Sequence, residues 1–255
     1  MSTLFDVTGR LVLVTGSSRG LGRAMAAGLA EAGARVVLHG RDGAQLERAR
    51  AEIAGRTGSE PAVVSFDVTD ARAVAEAVEA LVAEHGVPDV LVNNAGIQRR
   101  APFQEFATAD WDDLVAANLS SVFHVSRAVV PHMVARGSGK VVNVASVQSV
   151  LARRTIAPYT ATKGAVASLT KGMAADLTGH GIQVNAISPG YFATEMNAAL
   201  VADEQFNAWV EQRTPAGRWG RVEELLGTLI YLASDASSYV SGQNVVVDGG
   251  MTSVL

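Results

Sequence analysis

Three features of this sequence predict an α/β protein built on a parallel sheet. Short β-branched apolar runs alternate with amphipathic stretches of helical length along the whole chain. The first run, Leu11-Val-Leu-Val14, is apolar at every position, as a strand covered on both faces must be. It passes directly into a glycine-rich turn, Thr15-Gly-Ser-Ser-Arg-Gly-Leu-Gly22, from which a helix starts. No Pro- or Ser-rich linker interrupts the 255 residues, so a single domain spanning 1–255 is expected.

The glycines of that turn suit a phosphate. Gly16 permits the sharp bend, Gly20 lets the backbone approach a pyrophosphate, and Gly22 allows close helix-on-strand packing, all at a helix N-terminus that favours anions. Ser18, Arg19 and Leu21 share the turn and are binding candidates with it. The spacing is Gly-x-x-x-Gly-x-Gly, and the next unit supports it: helix 21–32 ends at Gly33, and strand 35–38 completes a βαβ. Where an acidic residue often closes this second strand to hold a ribose, the sequence reads His39-Gly-Arg41. A carboxylate there would repel a 2′-phosphate, whereas Arg41 can pair with one, with Arg19 as a second candidate. NADP(H) is therefore the expected cofactor, with NAD(H) as the alternative; the bland account of Arg41 is a solvated residue at the next helix.

Helix 43–57 and strand 62–66 follow, then Asp67-Val68, where the carboxylate either accepts from an adenine amino group or caps the helix of 70–85. Strand 89–92 runs into Asn93-Asn94-Ala95-Gly96, small and amide residues suited to close passage of a ribose. Residues 108–135 read as one long helix, with Asn118 in its apolar middle, where an amide must be hydrogen-bonded. Strand 139–145 ends at Ser146, strand 183–187 is broken by Pro189-Gly190, and 195–213 reads as a pair of short helices forming a lid over that sheet edge. Helix 222–234 and strand 244–247 close the chain.

Composition narrows the function. Apolar residues make up 48% and charged residues 18%, which suits a large core and not a disordered chain. With a net charge of -4 and no run of like charges, there is no electrostatic footprint for nucleic acid or a membrane surface, so a small-molecule partner is expected. The absence of cysteine excludes disulfides, thiolate nucleophiles and Cys-ligated metals, and the five His are too sparse for an evident zinc site. No charged-then-apolar leader and no apolar run long enough for a bilayer is evident, and a cytoplasmic location is the default expectation.

The chemistry concentrates in Pro158-Tyr-Thr-Ala-Thr-Lys-Gly164. Tyr159 and Lys163 lie at i and i+4 on one helical face, near enough for an ammonium to act on a phenol. Bringing a tyrosine from roughly 10 to near neutrality needs about 3 kcal/mol of added stabilisation of the phenolate, which a nearby cation can supply. Such a pair moves protons.

Gly16/Gly20/Gly22, Asn93-Asn-Ala-Gly96, Asn118, Ser146, Tyr159-x-x-x-Lys163 and Pro189-Gly190, in this order, resemble the short-chain dehydrogenase/reductase family over nearly the whole chain. The resemblance implies a single Rossmann-like, doubly wound α/β domain with a seven-stranded parallel sheet, usually assembled as a homotetramer. It implies Tyr159 as the acid/base, Lys163 as the group that lowers its pKa and holds the nicotinamide ribose, Ser146 as the carbonyl-polarising hydroxyl, Asn118 as holder of a relay water and Thr194 as partner of the carboxamide. Asn93-Asn-Ala-Gly-Ile-Gln-Arg-Arg100, Ser146-Val-Gln148, Gly190-Tyr-Phe-Ala-Thr-Glu-Met196 and Thr214-Pro-Ala-Gly-Arg-Trp-Gly220 look closer to family members that oxidise sugar acids. For a sugar-acid substrate, a carboxylate anchor is expected from Arg99 or Arg100 or from Arg154, and Gln148 is expected to read hydroxyls. A 3-oxoacyl-thioester reductase shares the catalytic set but would need a basic patch for its acidic carrier, and no clear one is visible. A cofactor-ratio sensor would have no use for the acid/base pair.

Overall fold

The computed structural model describes residues 3–194 and 197–254. Its strands are β1 Leu11–Val14, β2 Arg35–Gly40, β3 Ala62–Ser65, β4 Val90–Asn93, β5 Gly139–Val144, β6 Ile182–Pro189 and β7 Asn244–Val247. They form one seven-stranded sheet in the order β3-β2-β1-β4-β5-β6-β7, every neighbouring pair parallel. The chain winds outward from β1 in one direction and then from β4 in the other, so a crevice opens where the two halves part, beyond the C-terminal ends of these strands.

Helices cover both faces of the sheet. Val12 and Val14 of β1 belong to an apolar cluster with residues of α1 (Gly20–Glu31), α2 (Gly43–Thr57) and α9 (Leu226–Ala233), among them Met25, Leu29, Leu46, Ile53 and Leu229. Leu11 and Leu13 turn the other way, into a cluster with Val74 and Val78 of α3 (Ala71–His85) and Val125, Val129 and Met133 of α5 (Ser121–Arg136). Alternation across two buried faces is why the strand is apolar throughout. Each such side chain contributes roughly 1.5–3 kcal/mol by leaving water.

Side-chain caps set the helix starts. Asp42 accepts from the Gln45 N–H ahead of α2, and Asp70 accepts from the Arg72 and Ala73 N–H groups ahead of α3. The expected helix over 108–135 is continuous but not regular: α4 (Thr108–Val115) passes through a π turn, Ala116–Ser120, into α5. By length and composition alone the helix Thr108–Arg136 could cross a bilayer, a test that a core helix passes equally well. Its inner face packs instead in the core, with α3 alongside.

Beyond β6 the chain forms α7 (Ala198–Val201) and α8 (Glu204–Arg213), the pair expected over 195–213. Glu195 and Met196, the first residues of that segment, lie outside the described residues. Asp203 caps α8 through the Gln205 and Phe206 N–H groups, and Arg213 at its end donates to the carbonyls of Met251 and Val254.

Candidate active site

A cavity of about 600 Å³ occupies the crevice. The structure brings the residues expected for the dinucleotide together along it: Gly16, Ser18 to Gly22, Arg41, Asp67, Val68, Asn94 to Gly96, Pro189, Gly190 and Thr194. Asn118, Ser146, Tyr159 and Lys163 line the same cavity.

Two glycines show why the cradle needs them. A Cβ on Gly16, at φ +65°, would stand 2.9 Å from the Ala95 Cα, and one on Gly22 would collide with the Gly16 carbonyl. Gly20, at φ +58°, has nothing within 4 Å of where its Cβ would be, so the backbone there lies open to a ligand at the start of α1. The Asn94 amide laces the turn shut, donating to the carbonyls of Thr15 (2.9 Å) and Gly16 (3.1 Å). Its donors therefore serve the turn, and contact with a ribose is left to the Asn94–Gly96 backbone and acceptor groups.

Sequence reasoning missed His39. The side chain is buried at the end of β2, where Nδ1 accepts from the Gly16 N–H (3.0 Å) and Nε2 lies 3.1 Å from the Phe66 carbonyl, with the ring tilted against that of Phe66. Burial pulls the imidazole down to about 4, so it is neutral, and an acceptor role at Nδ1 puts the proton on Nε2. A polar residue ending a buried strand was the available signal. Two places further on, the exposed Arg41 guanidinium lies 3.3 Å from the Asp67 carboxylate. Asp67 also accepts from the backbone and hydroxyl of Thr69, and these bonds and Arg41 hold it below the usual carboxylate range. Neither residue caps a helix: Asp42 and Asp70 do. An open glycine turn at a helix N-terminus and a cation at the end of β2 fit the pyrophosphate and 2′-phosphate of NADP.

At the other end of the cavity, Tyr159 stands in the first turn of α6 (Ala157–Leu177), just after Pro158. Burial pushes its phenol up; a hydrogen bond from Ser146 and the positive charge of Arg100 act in the opposite direction. Ser146, two residues beyond the end of β5, accepts from the Gln148 N–H (3.2 Å), which leaves its own hydroxyl proton for Tyr159 or a ligand oxygen. Lys163 donates to the Val144 carbonyl (2.7 Å) and lies 5.8 Å from the Tyr159 ring centre, and burial pulls its ammonium down to about 8. Ser146 and Arg100 thus act to lower the phenol, with the Lys163 ammonium over the same ring. The Asn118 amide clasps Ile97, accepting from its N–H (2.7 Å) and donating to its carbonyl (3.0 Å), so its side chain is engaged with backbone.

The expected substrate residues divide. Arg99 lines the cavity but is paired with Asp110 (3.2 Å) and Asp113 (3.7 Å). Arg100 lines it with no ion pair among the described residues; partial burial, then the charge of Arg153, pull its pKa down. Arg154 and Gln148, also expected to meet the substrate, are not among the residues lining the cavity. After Ser146 the chain makes a 3₁₀ turn, Val147–Ser149, that folds Gln148 inward to 6% exposure. Arg154 is exposed, and it is Arg153 that bonds to Tyr191 and lies 5.2 Å over the ring of Phe206.

The family profile described as enoyl-(acyl carrier protein) reductase matches residues 16–252. Gluconate 5-dehydrogenase of Gluconobacter oxydans (strain 621H) is 55% identical over 249 residues, covering 98% of this chain and 97% of its own. The 5-keto-D-gluconate 5-reductase of Escherichia coli (strain K12) is 48% identical over 255 residues, covering 98% of each. A solved structure of a gluconate 5-dehydrogenase from Burkholderia cenocepacia J2315, in complex with NADP and tartrate, superposes with a TM-score of 0.96 at 51% identity, covering 99% of both chains.

Proposed function

This chain belongs to the short-chain dehydrogenase/reductase family, and from that premise we propose that it is an NADP(H)-dependent enzyme interconverting D-gluconate and 5-keto-D-gluconate. The observation that carries the substrate reading is Arg100, a guanidinium unpaired among the described residues, on the wall that also holds Tyr159. A carboxylate is its natural partner. The Burkholderia cenocepacia relative was solved with tartrate, itself a hydroxy acid. An acyl thioester would bring no charge to this end, which disfavours the carrier-protein reading.

In the oxidative direction the Tyr159 phenolate takes the proton from the C5 hydroxyl, and Ser146 donates a hydrogen bond to the same oxygen as it becomes a carbonyl. The bound cofactor supplies the acceptor for the hydride that leaves C5. Reduction reverses both transfers, with Tyr159 returning its proton. Lys163, fixed by the Val144 carbonyl, would hold the nicotinamide ribose, Thr194 the carboxamide, and Arg41 the 2′-phosphate. The same reading takes residues 1–255 as a single domain and the enzyme as a cytoplasmic homotetramer. A cysteine-free chain suits a reducing compartment, and exposed Phe103, Trp111 and Phe123 suit self-association.

The test is a cofactor-absorbance assay with gluconate, glucose and a β-ketoacyl thioester side by side. Gluconate should be oxidised with NADP, and glucose should be a poor substrate. Equal turnover of glucose would remove the carboxylate anchor, and preferred turnover of the thioester would replace the substrate assignment.

A further inference from the structure

A second guanidinium, that of Arg153, stands close to Arg100, behind the residues that line the reacting end of the cavity. The Ala101 N–H donates to the Thr155 carbonyl (3.1 Å), and this bond draws the loop carrying Arg153 alongside Arg100. Thr155 holds a left-handed φ of +70°, rare for a β-branched residue, so the loop turns sharply just after the two arginines it carries. Arg153 is fixed on its far side by the Tyr191 hydroxyl and by the Phe206 ring, 5.2 Å from its guanidinium carbon. Arg100 and Arg153 sit close enough for their charges to oppose one another, and no carboxylate among the described residues joins Arg100. Such an arrangement is unfavourable until an anion enters it.

We propose that Arg153 joins Arg100 in seating the carboxylate of the substrate, and that Arg153 links this seat, through Phe206, to the lid helix α8. The inference rests on the sugar-acid reading and adds to it the second cation and its mechanical connection. Phe206 packs in one aromatic cluster with Tyr191, Trp209 and Trp219, and the Trp219 indole donates to Asn207 of the same helix (2.7 Å). A carboxylate that draws on Arg153 therefore acts on the group against which the inner side of α8 rests. With C1 held there, a six-carbon aldonate extends its C5 carbinol toward Tyr159 and Ser146.

The experiment compares Arg153→Gln, Arg153→Lys and Phe206→Leu with the wild type, using D-gluconate and D-sorbitol, an uncharged polyol with the same C5 carbinol. Arg153→Gln should raise the KM for gluconate roughly ten- to a hundredfold, the cost of losing a charge-assisted contact. The rise should exceed any change for sorbitol by at least about tenfold, with the KM for NADP little altered, and Arg153→Lys should recover part of the loss. Two of the three tryptophans, Trp209 and Trp219, report on the cluster, so gluconate should change the fluorescence of the NADP-bound wild type. Phe206→Leu should lose most of that response while raising KM less than Arg153→Gln does. An unchanged gluconate KM in Arg153→Gln, or equal losses on gluconate and sorbitol, would overturn the seat while leaving gluconate oxidation standing. A wild type that does not oxidise gluconate removes both.

Discussion

The proton chemistry of this site turns on one phenol. Burial works against the Tyr159 phenolate, and the Ser146 hydrogen bond and the Arg100 charge work for it. Oxidation needs the phenolate, so its rate should rise with pH along the Tyr159 limb. Arg100→Gln removes a cation that favours the phenolate; the phenol pKa then rises, and the limb should move to higher pH. A limb that stays in place would show that Arg100 does not act on the phenol. Tyr159→Phe should lower turnover by about 10²–10⁴ or more while leaving NADP affinity near that of the wild type, because only the transferable proton is gone. For the cofactor, Arg41 is mostly exposed and faces Asp67, so a 2′-phosphate exchanges one anion for another. Arg41→Ala should cost about 1.5–3 kcal/mol of NADP binding, or ten- to a hundredfold, and little of NAD binding. Titration of both cofactors decides it, since equal losses would place Arg41 away from the phosphate. Residues that act through fixed spacing, such as Tyr159 with Lys163 or the three glycines, were legible in the sequence for that reason. Arg153 was not. It lies in an irregular loop whose path depends on the Thr155 conformation and on a bond to Ala101, and no periodicity reveals which of two adjacent arginines comes to stand beside Arg100.

Elements were legible where local chemistry sets their ends. The cap of Asp42 and the left-handed Gly58 bound α2 at the two residues expected, and the apolar run of β7 gave its limits directly. β2 runs two residues past the expected end because His39 is still paired: its N–H donates to the Ser17 hydroxyl and its carbonyl accepts from the Ser17 N–H. The π turn at Asn118 was hidden, since one added residue barely disturbs the spacing of apolar positions. Lys140, at the start of β5, carries a prediction of its own. It is buried, its ammonium donating to the Gln183 amide oxygen and the Ser237 hydroxyl, and burial, then the Arg10 charge, pull it down to about 8. The unfolded chain holds that proton up to 10.5, so between about 8 and 10.5 it binds more protons than the folded one, and stability should rise with pH across this window. Lys163, also pulled down to about 8, adds the same slope, while the buried Tyr159 and Tyr191 phenols oppose it only near the top. Lys140→Met should therefore roughly halve the rise in urea midpoint across the window. An unaltered slope would mean that Lys140 keeps its proton in the fold.

At the scale of the molecule, the strand order puts the crevice between the two halves of the sheet, and the long helix Thr108–Arg136 lies along one face with a second side to account for. Val122, Val125, Val129 and Met133 of α5 are buried in the core, whereas Phe123, Arg127 and Pro131, at i, i+4 and i+8, form the outward stripe. Phe123 is 52% exposed, and Trp111 on α4 and Phe103 just before it are 43% and 77% exposed. Single exposed rings are ordinary, but three within one short stretch, two of them on a continuous helix, supply the apolar surface that an interface would cover. Burying a Phe side chain contributes roughly 1.5–3 kcal/mol, and a symmetric contact counts it on both copies. Phe123→Glu should therefore split the proposed tetramer into smaller species by light scattering. The cofactor cleft is built from other residues, so the variant should still bind NADP. If the mass of Phe123→Glu equals that of the wild type, the outward face of α5 is not where copies meet; if the wild type is itself a monomer, these rings are solvent-facing and the tetramer proposal fails.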